Sequence, residues 1–242
     1  MGLNTKKMEQ AMTVGMTSSD VADLVKMGKR IRVEAYSVSD SVEKKVKDIL
    51  AAYLEGTGCE EIHASLYTVI KELLINAVKA NFKNIYFENY KTAKCDKSLL
   101  SYEIALKVFN LELTRDKAVH FEKRARAENV SARVVFSNAG GNLSVDIANP
   151  VAMTDIEIAN VQKKLSFAKQ CTNISEYFLT EEEDPHKEGA GLGLILVVMV
   201  VKSLGLHQAD FVIESRSAGT SARFTVPLNA ETMKCYVAAS GR

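Results

Sequence analysis

Three polar residues, Glu72, Asn76 and Lys79, stand four and three positions apart in the run Lys71-Glu-Leu-Leu-Ile-Asn-Ala-Val-Lys-Ala-Asn81. On a helix, steps of that size bring side chains onto one side. An asparagine oxygen is a hard ligand suited to magnesium, which favours oxygen donors and keeps several waters. A glutamate one turn earlier can orient such a water or accept a proton. A lysine one turn later can reach a phosphate as a point charge. An ordinary amphipathic helix with a solvated polar side has the same spacing. Asn76 argues against that plainer reading, because asparagine is a middling-to-poor helix former and has no packing reason to stand there.

A second group is Glu188-Gly-Ala-Gly-Leu-Gly-Leu194, in which Gly189, Gly191 and Gly193 alternate and then enter an apolar helix directly. Glycine lets a backbone approach phosphate closely. The helix start that follows offers unpaired N–H groups and a favourable dipole to an anion. A polar, acidic loop precedes the glycines where a dinucleotide fingerprint needs a strand, and no Gly-Lys-Ser/Thr follows as a P-loop would require. Two weaker features complete the set. Val145-Asp-Ile-Ala-Asn-Pro150 ends a strand with groups that could accept a hydrogen bond from an adenine amino group, and the Thr220 hydroxyl after Gly219 could assist. Turn residues at strand ends are the plain alternative for both.

The elements that must hold these residues follow from periodicity. Residues 1–29 read as a flexible or short helical segment, with Ser18-Ser19-Asp20 as a helix cap. Ile31 to Val38 alternates apolar and polar as a strand does. Ser39-Asp40 caps a helix that Gly56-Thr-Gly58 ends. A long helix then runs from about Glu60 to Asn81 on the apolar face Ile62, Leu66, Val69, Leu73, Ala77 and Ala80. Residues of about 82–130 form an insertion, with Ile85-Tyr-Phe87 as a short extended piece and helices over Ser98–Phe109 and Asp116–Glu128, the second charged and solvated. Ala132–Phe136 and Leu143–Ile147 form a hairpin across Asn138-Ala-Gly-Gly-Asn142. Thr154-Asp155 caps a helix to about Gln170, residues 173–189 are irregular, and the glycine-opened helix reaches Leu204. Two strands, Asp210–Ser215 and Ala222–Val226, close the domain, leaving a tail over 229–242. The order predicts an α+β fold: a two-layer sandwich with a mixed, mostly antiparallel sheet and helices on one face.

Composition narrows the function classes. A net charge of +1 across 242 residues gives no basic surface for nucleic acid or acidic membrane. Cys59, Cys95, Cys171 and Cys235 form no C-x-x-C pair, which fits a reducing cytoplasm and offers no zinc site. The apolar stretch Ala190–Leu204 is too short for a membrane span and carries Lys202 near its end.

In combination these segments resemble the GHKL superfamily of Bergerat-fold ATPases, which includes histidine kinases and anti-sigma-factor serine kinases. Glu72 to Asn81 looks like the N-box helix. Gly189 to Leu194 matches the second glycine box, G-x-G-L-G-L, and the pattern runs on to Leu228, so that the kinase-like domain covers 30–228. The resemblance implies ATP and Mg2+ as ligands. Asn76 would coordinate magnesium, Glu72 would act on water or as the base, and Lys79 would touch phosphate. Gly189, Gly191, Leu192, Gly193 and Leu194 would form the phosphate-side lid hinge, residues 173–187 the lid, with Lys187 reaching a phosphate. Thr220 would support adenine.

The family's first glycine box, D-x-G-x-G, is replaced here. Strand alternation aligns Asn149 with its Asp, giving Asn-Pro-Val-Ala-Met153 without either glycine. Asn149 keeps an acceptor oxygen for adenine; Asp146 would face the other side of the sheet. None of His63, His120, His186 and His207 lies in a phosphoacceptor context, so the chain does not read as a complete sensor kinase. The expectation is a cytoplasmic Mg-ATP-dependent regulatory kinase that acts in trans on a partner protein, such as a response regulator or an anti-anti-sigma-like protein. The alternative is a non-catalytic, nucleotide-sensing or vestigial-pocket module that controls its partner by contact. The 82–130 insertion is read as core packing, with a partner surface or homodimer left open.

Overall fold

A computed structural model describes residues 9–11, 17–92, 99–113, 115–171, 192–206 and 210–241. Along the chain run strand β1 (Glu9–Ala11), helix α1 (Ser18–Lys26), β2 (Arg30–Ala35), α2 (Asp40–Leu54), a 3-10 turn (Glu60–Ile62) and α3 (His63–Thr92). Then come α4 (Leu99–Glu112), α5 (Arg115–Ala127), β3 (Ala132–Ala139), β4 (Asn142–Asn149) and α6 (Asp155–Gln170). The last elements are α7 (Leu192–Ser203), β5 (Phe211–Arg216), β6 (Gly219–Pro227) and α8 (Ala230–Ala239). The strands form one sheet in the order β1-β2-β3-β4-β6-β5. Among the described residues only the β1–β2 pairing is parallel. The fold is the expected α+β sandwich.

Alternation decides which face of the sheet is covered. Ile31 and Val33 of β2 lie opposite Phe136 and Val134 of β3, and Val145 and Ile147 of β4 lie opposite Phe224 and Ala222 of β6. All eight are buried. The other face carries Arg32, Val135, Asp146 and Arg223 in one cross-strand row. There burial pushes the Asp146 carboxyl up, against the pull of Arg223, Arg30 and Arg133. On the covered face α3 lies over β3 and β4, flanked by α2 and α7, while α6 packs against α7.

Local chemistry explains the boundaries. Ser39 caps α2 by accepting from the Val42 N–H, and Thr154 with Glu157 forms a capping box on α6. The cap of α1 is Thr17, paired reciprocally with Asp20, in place of the Ser18-Ser19-Asp20 start read from sequence. Gly140 and Gly141, both at positive φ, make the tight β3–β4 turn.

Two segments differ from the sequence expectation. Ile85 to Phe87 belongs to α3, which runs unbroken to Thr92. Val78, Phe82 and Ile85 are buried at helical spacing. The Phe82 ring lies 5.5 Å from Phe121, and Tyr86 lies 5.4 Å from Phe109. Packing against α4 and α5 therefore overrides the strand propensity of these residues. For the same reason α5 is not simply solvated: Phe121 and Ala125 are buried beneath its charged side. The region after Leu228 is a helix, α8, whose N-cap Asn229 accepts from the Glu231 and Thr232 N–H groups.

One ion-pair cluster fixes α3 on α2. Lys71 Nζ lies 2.7 Å from a Glu43 carboxylate oxygen, and Tyr67 Oη donates to the other at 2.5 Å. Lys71 and then Tyr67 hold the Glu43 carboxyl below its usual range. A carboxyl lowered in the folded state adds stability above the ordinary carboxylate pKa and loses it as pH falls through the folded value. Glu43→Gln should therefore cost about 1 kcal/mol near pH 7. Thermal melts of the two proteins should converge as the pH is lowered below about 4.

Candidate functional site

The site is organised by α3, whose inward side is apolar and whose outer edge is polar. Leu66, Val69, Ile70, Leu73, Leu74, Ala77 and Val78 are buried, which sets the rotation of the helix. Asn76 and Lys79 are thereby turned to solvent and Glu72 is half-buried. The three residues share one side, as their spacing predicts.

Glu72 does not face open water alone. A side chain added at Gly193, in the first turn of α7, would strike the Glu72 carboxylate, with its Cδ only 3.4 Å away. The glycine thus makes room for an acidic group at a helix start, where free N–H groups and the dipole favour negative charge. Helix α3 and the start of α7 therefore meet at Glu72 and Gly193. Leu194 is buried behind them. Lys187, Gly189, Gly191 and the lid at 173–187 lie outside the described residues, as does the Leu192 side chain.

Nine residues past Glu72, near the middle of α3, lies a buried amide pair. Asn149 Nδ2 donates to Asn81 Oδ1 and to the Val151 carbonyl, each at 3.3 Å. Among the described residues only Asn81, Asn149 and Thr232 are polar and buried, so two of the three answer each other. Asn149 pairs across the sheet with Thr220. The Thr220 hydroxyl donates to the same Val151 carbonyl at 2.8 Å. Ser215 Oγ lies 3.2 Å from Thr220 Oγ1 and accepts from the Met153 N–H at 2.7 Å. Gly219, at a φ of 137°, presses its Cα against the Asn149–Pro150 backbone, where a Cβ would come within 3.0 Å of Pro150 Cα. Both conformation and space require glycine there. Asp146 stands on the opposite face of the sheet, as alternation predicts.

Lys83, one turn past Lys79, forms an ion pair with Glu157 of the α6 capping box. Burial pushes the Lys83 ammonium below its usual range. This pair ties the middle of α3 to the start of α6.

Asn81, Lys83 and Ser215 were not singled out by sequence reasoning. Asn81 did leave a signal, because it interrupts the apolar stripe between Val78 and Phe82. The stripe read from sequence through Ala80 passes instead through Asn81, and Ala80 is only partly covered. Ser215 and Lys83 are ordinary residues for an exposed strand or helix, and their partners are distant in sequence.

The donor set bears on a metal. Among the described residues no cluster of three or more His, Cys, Asp or Glu side chains could hold an ion. An exposed Asn76 near a carboxylate suits a cation held mainly by waters and a ligand's phosphates, which is magnesium's habit. Two open clefts lined by described residues lie elsewhere. One is between Gly58 and Met233 of α8, the other between Ala22 of α1 and His63.

Among the described residues no helix is long and apolar enough to cross a membrane. No family model matches the chain, and no solved structure matches it. It is similar to an uncharacterized protein of Treponema pallidum (strain Nichols), with 26% identity over 201 residues. The match covers 83% of this chain and 38% of that relative, so the chain spans well under half of the relative's length.

Proposed function

We propose that this chain binds Mg-ATP in a Bergerat-type pocket of the GHKL kind. In this reading it acts as a regulatory protein kinase-like domain in bacterial-type signal transduction, transferring phosphate to a partner protein. The observation that carries the reading is that one helix serves two separated polar clusters. Glu72 meets the start of α7, and nine residues further on Asn81 meets Asn149. At about 1.5 Å per residue the two clusters lie roughly 13 Å apart along the helix. That interval is on the scale of a nucleoside triphosphate, with phosphates beside the α7 start at Glu72 and the base beside the end of β4 at Asn149.

In this reading Asn76 holds magnesium, Lys79 and Lys187 reach phosphate oxygens, and Thr220 and Asn149 take the base. Magnesium would supply charge neutralisation on the phosphates. Positioning by α3 and the α7 start would supply most of the remaining catalysis. Glu72 is the candidate base for a partner hydroxyl or imidazole. A cytoplasmic setting agrees with Cys59, Cys171 and Cys235, which are free.

The site also supports a second reading. The neutral amide at position 149, followed by Pro150-Val-Ala-Met153 where the family carries glycines, favours a module that holds nucleotide without using it. Protein that binds γ-labelled ATP yet transfers no label to host proteins and releases no phosphate would decide for that module.

Mg-ATP at about a hundred times its Kd should add about 2.7 kcal/mol of stability and raise Tm by several degrees. No shift at millimolar nucleotide would reject the pocket. Asn76→Ala should remove the magnesium-dependent part of that shift; an undiminished shift would reject the metal role. Gly193→Ala gains up to about 1 kcal/mol of helix propensity but displaces the Glu72 carboxylate. It should melt no earlier than the parent while binding Mg-ATP about tenfold more weakly. Glu72→Gln removes a charge that repels metal-free triphosphate. Its metal-free ATP affinity should rise severalfold while phosphoryl transfer falls by about 100-fold or more, and titrations with and without magnesium check both.

A further inference from the structure

The hydrogen bonds around Asn149 have a fixed direction, set by two backbone groups that cannot reverse. The Met153 N–H can only donate, and it donates to Ser215 Oγ. The Val151 carbonyl can only accept, and it accepts from Thr220 Oγ1 and from Asn149 Nδ2. With the Thr220 proton used on Val151, the Ser215 hydroxyl is the donor in the Ser215–Thr220 contact. Asn149 must likewise turn its Nδ2, and not its oxygen, toward Val151. Asn81 then presents Oδ1 to the second Nδ2 hydrogen. Every donor on Asn149 and Thr220 is consumed inside the protein, and only acceptor capacity is left for a ligand.

Resting on the purine-pocket reading above, we propose that Asn81 is a positioning residue for base discrimination. Together with the Val151 carbonyl, it locks the Asn149 carboxamide so that Oδ1 is the atom left for the base edge. A carboxylate at position 149 would be symmetric and would need no such lock. A carboxamide turned over offers N–H where oxygen was, and so would exchange a preference for an amino-purine for a preference for an oxo-purine. Asn81 is almost wholly buried and stands on the otherwise apolar side of α3. An uncompensated polar group there is costly, and the lock accounts for its presence.

The test compares ATP with ITP, which carries a 6-oxo group in place of the 6-amino group, by calorimetry on the full chain with magnesium. The parent protein should favour ATP at least about tenfold, the scale expected when a buried acceptor meets an oxygen in place of a donor. Asn81→Leu is nearly isosteric and deletes the acceptor; the ATP/ITP ratio should fall below about threefold while binding stays magnesium-dependent. Asn81→Asp keeps an acceptor and should keep the ratio. In an Asn149→Asp background, where the side chain has no wrong way round, adding Asn81→Leu should leave the ratio unmoved. A folded Asn81→Leu protein with the parental ratio overturns the proposal. So does a folded Asn81→Asp protein that loses the ratio, and this arm decides if the leucine variant does not fold. Equal parental affinity for the two nucleotides overturns the lock alone, whereas no parental binding to either sinks the purine pocket with it.

Discussion

The structure depends on α3 burying one side against the β3–β4 hairpin while keeping the other side polar. Leu66, Val69, Ile70, Leu73, Leu74, Val78, Phe82 and Ile85 all leave water on that side. Each large aliphatic or aromatic group contributes roughly 1.5–3 kcal/mol relative to exposure, an upper figure because the unfolded chain already hides part of that surface. The Glu43–Lys71–Tyr67 cluster contributes about 1 kcal/mol by comparison. Burial therefore sets the rotation of the helix and the ion pair trims it. Once the rotation is fixed, the directions of Glu72, Asn76 and Lys79 are fixed as well, without any interaction of their own.

A second constraint is the cost of burying polar groups. Asn81 and Asn149 are tolerated in a dry region because each answers the other. Val151 is the shared acceptor of Thr220 and Asn149, which makes the end of β4, the start of β6 and the middle of α3 one hydrogen-bonded unit. Gly219 adds a steric condition to the same unit, since no other residue fits its conformation against the Asn149–Pro150 backbone. The Asn81–Asn149 cluster is thus held on several sides, whereas Asn76 and Lys79, on the polar side of the same helix, are exposed.

Features encoded locally could be read from the sequence. The caps of α2 and α6, the alternation in β2 to β6, and the spacing of Glu72, Asn76 and Lys79 need only neighbouring residues. Features decided by distant partners could not. Ile85-Tyr-Phe87 has the composition of a strand, and only the rings of Phe109 and Phe121 make it helix. Asn81 reads as a helix end until Asn149, 68 positions away, comes into contact with it. The meeting of Glu72 with Gly193 likewise joins segments far apart in the chain. The helix after Leu228 is a different case. Asn229 with Glu231 in the first turn is a readable cap, and shortness alone made the segment look like a tail.

The unbroken passage of α3 beyond Asn81 to Thr92 has a mechanical consequence. The helix is a beam gripped by Lys83 and Glu157, and on either side of that grip Phe82 and Tyr86 are seated against the rings borne by α4 and α5. The nine residues beyond Lys83 give a lever arm of about 14 Å. Load applied to α4 or α5 bears on the Lys83 fulcrum, and the Asn81–Asn149 amide joint lies next to it, well before the Glu72 end. The two ends of the beam thus have unequal compliance.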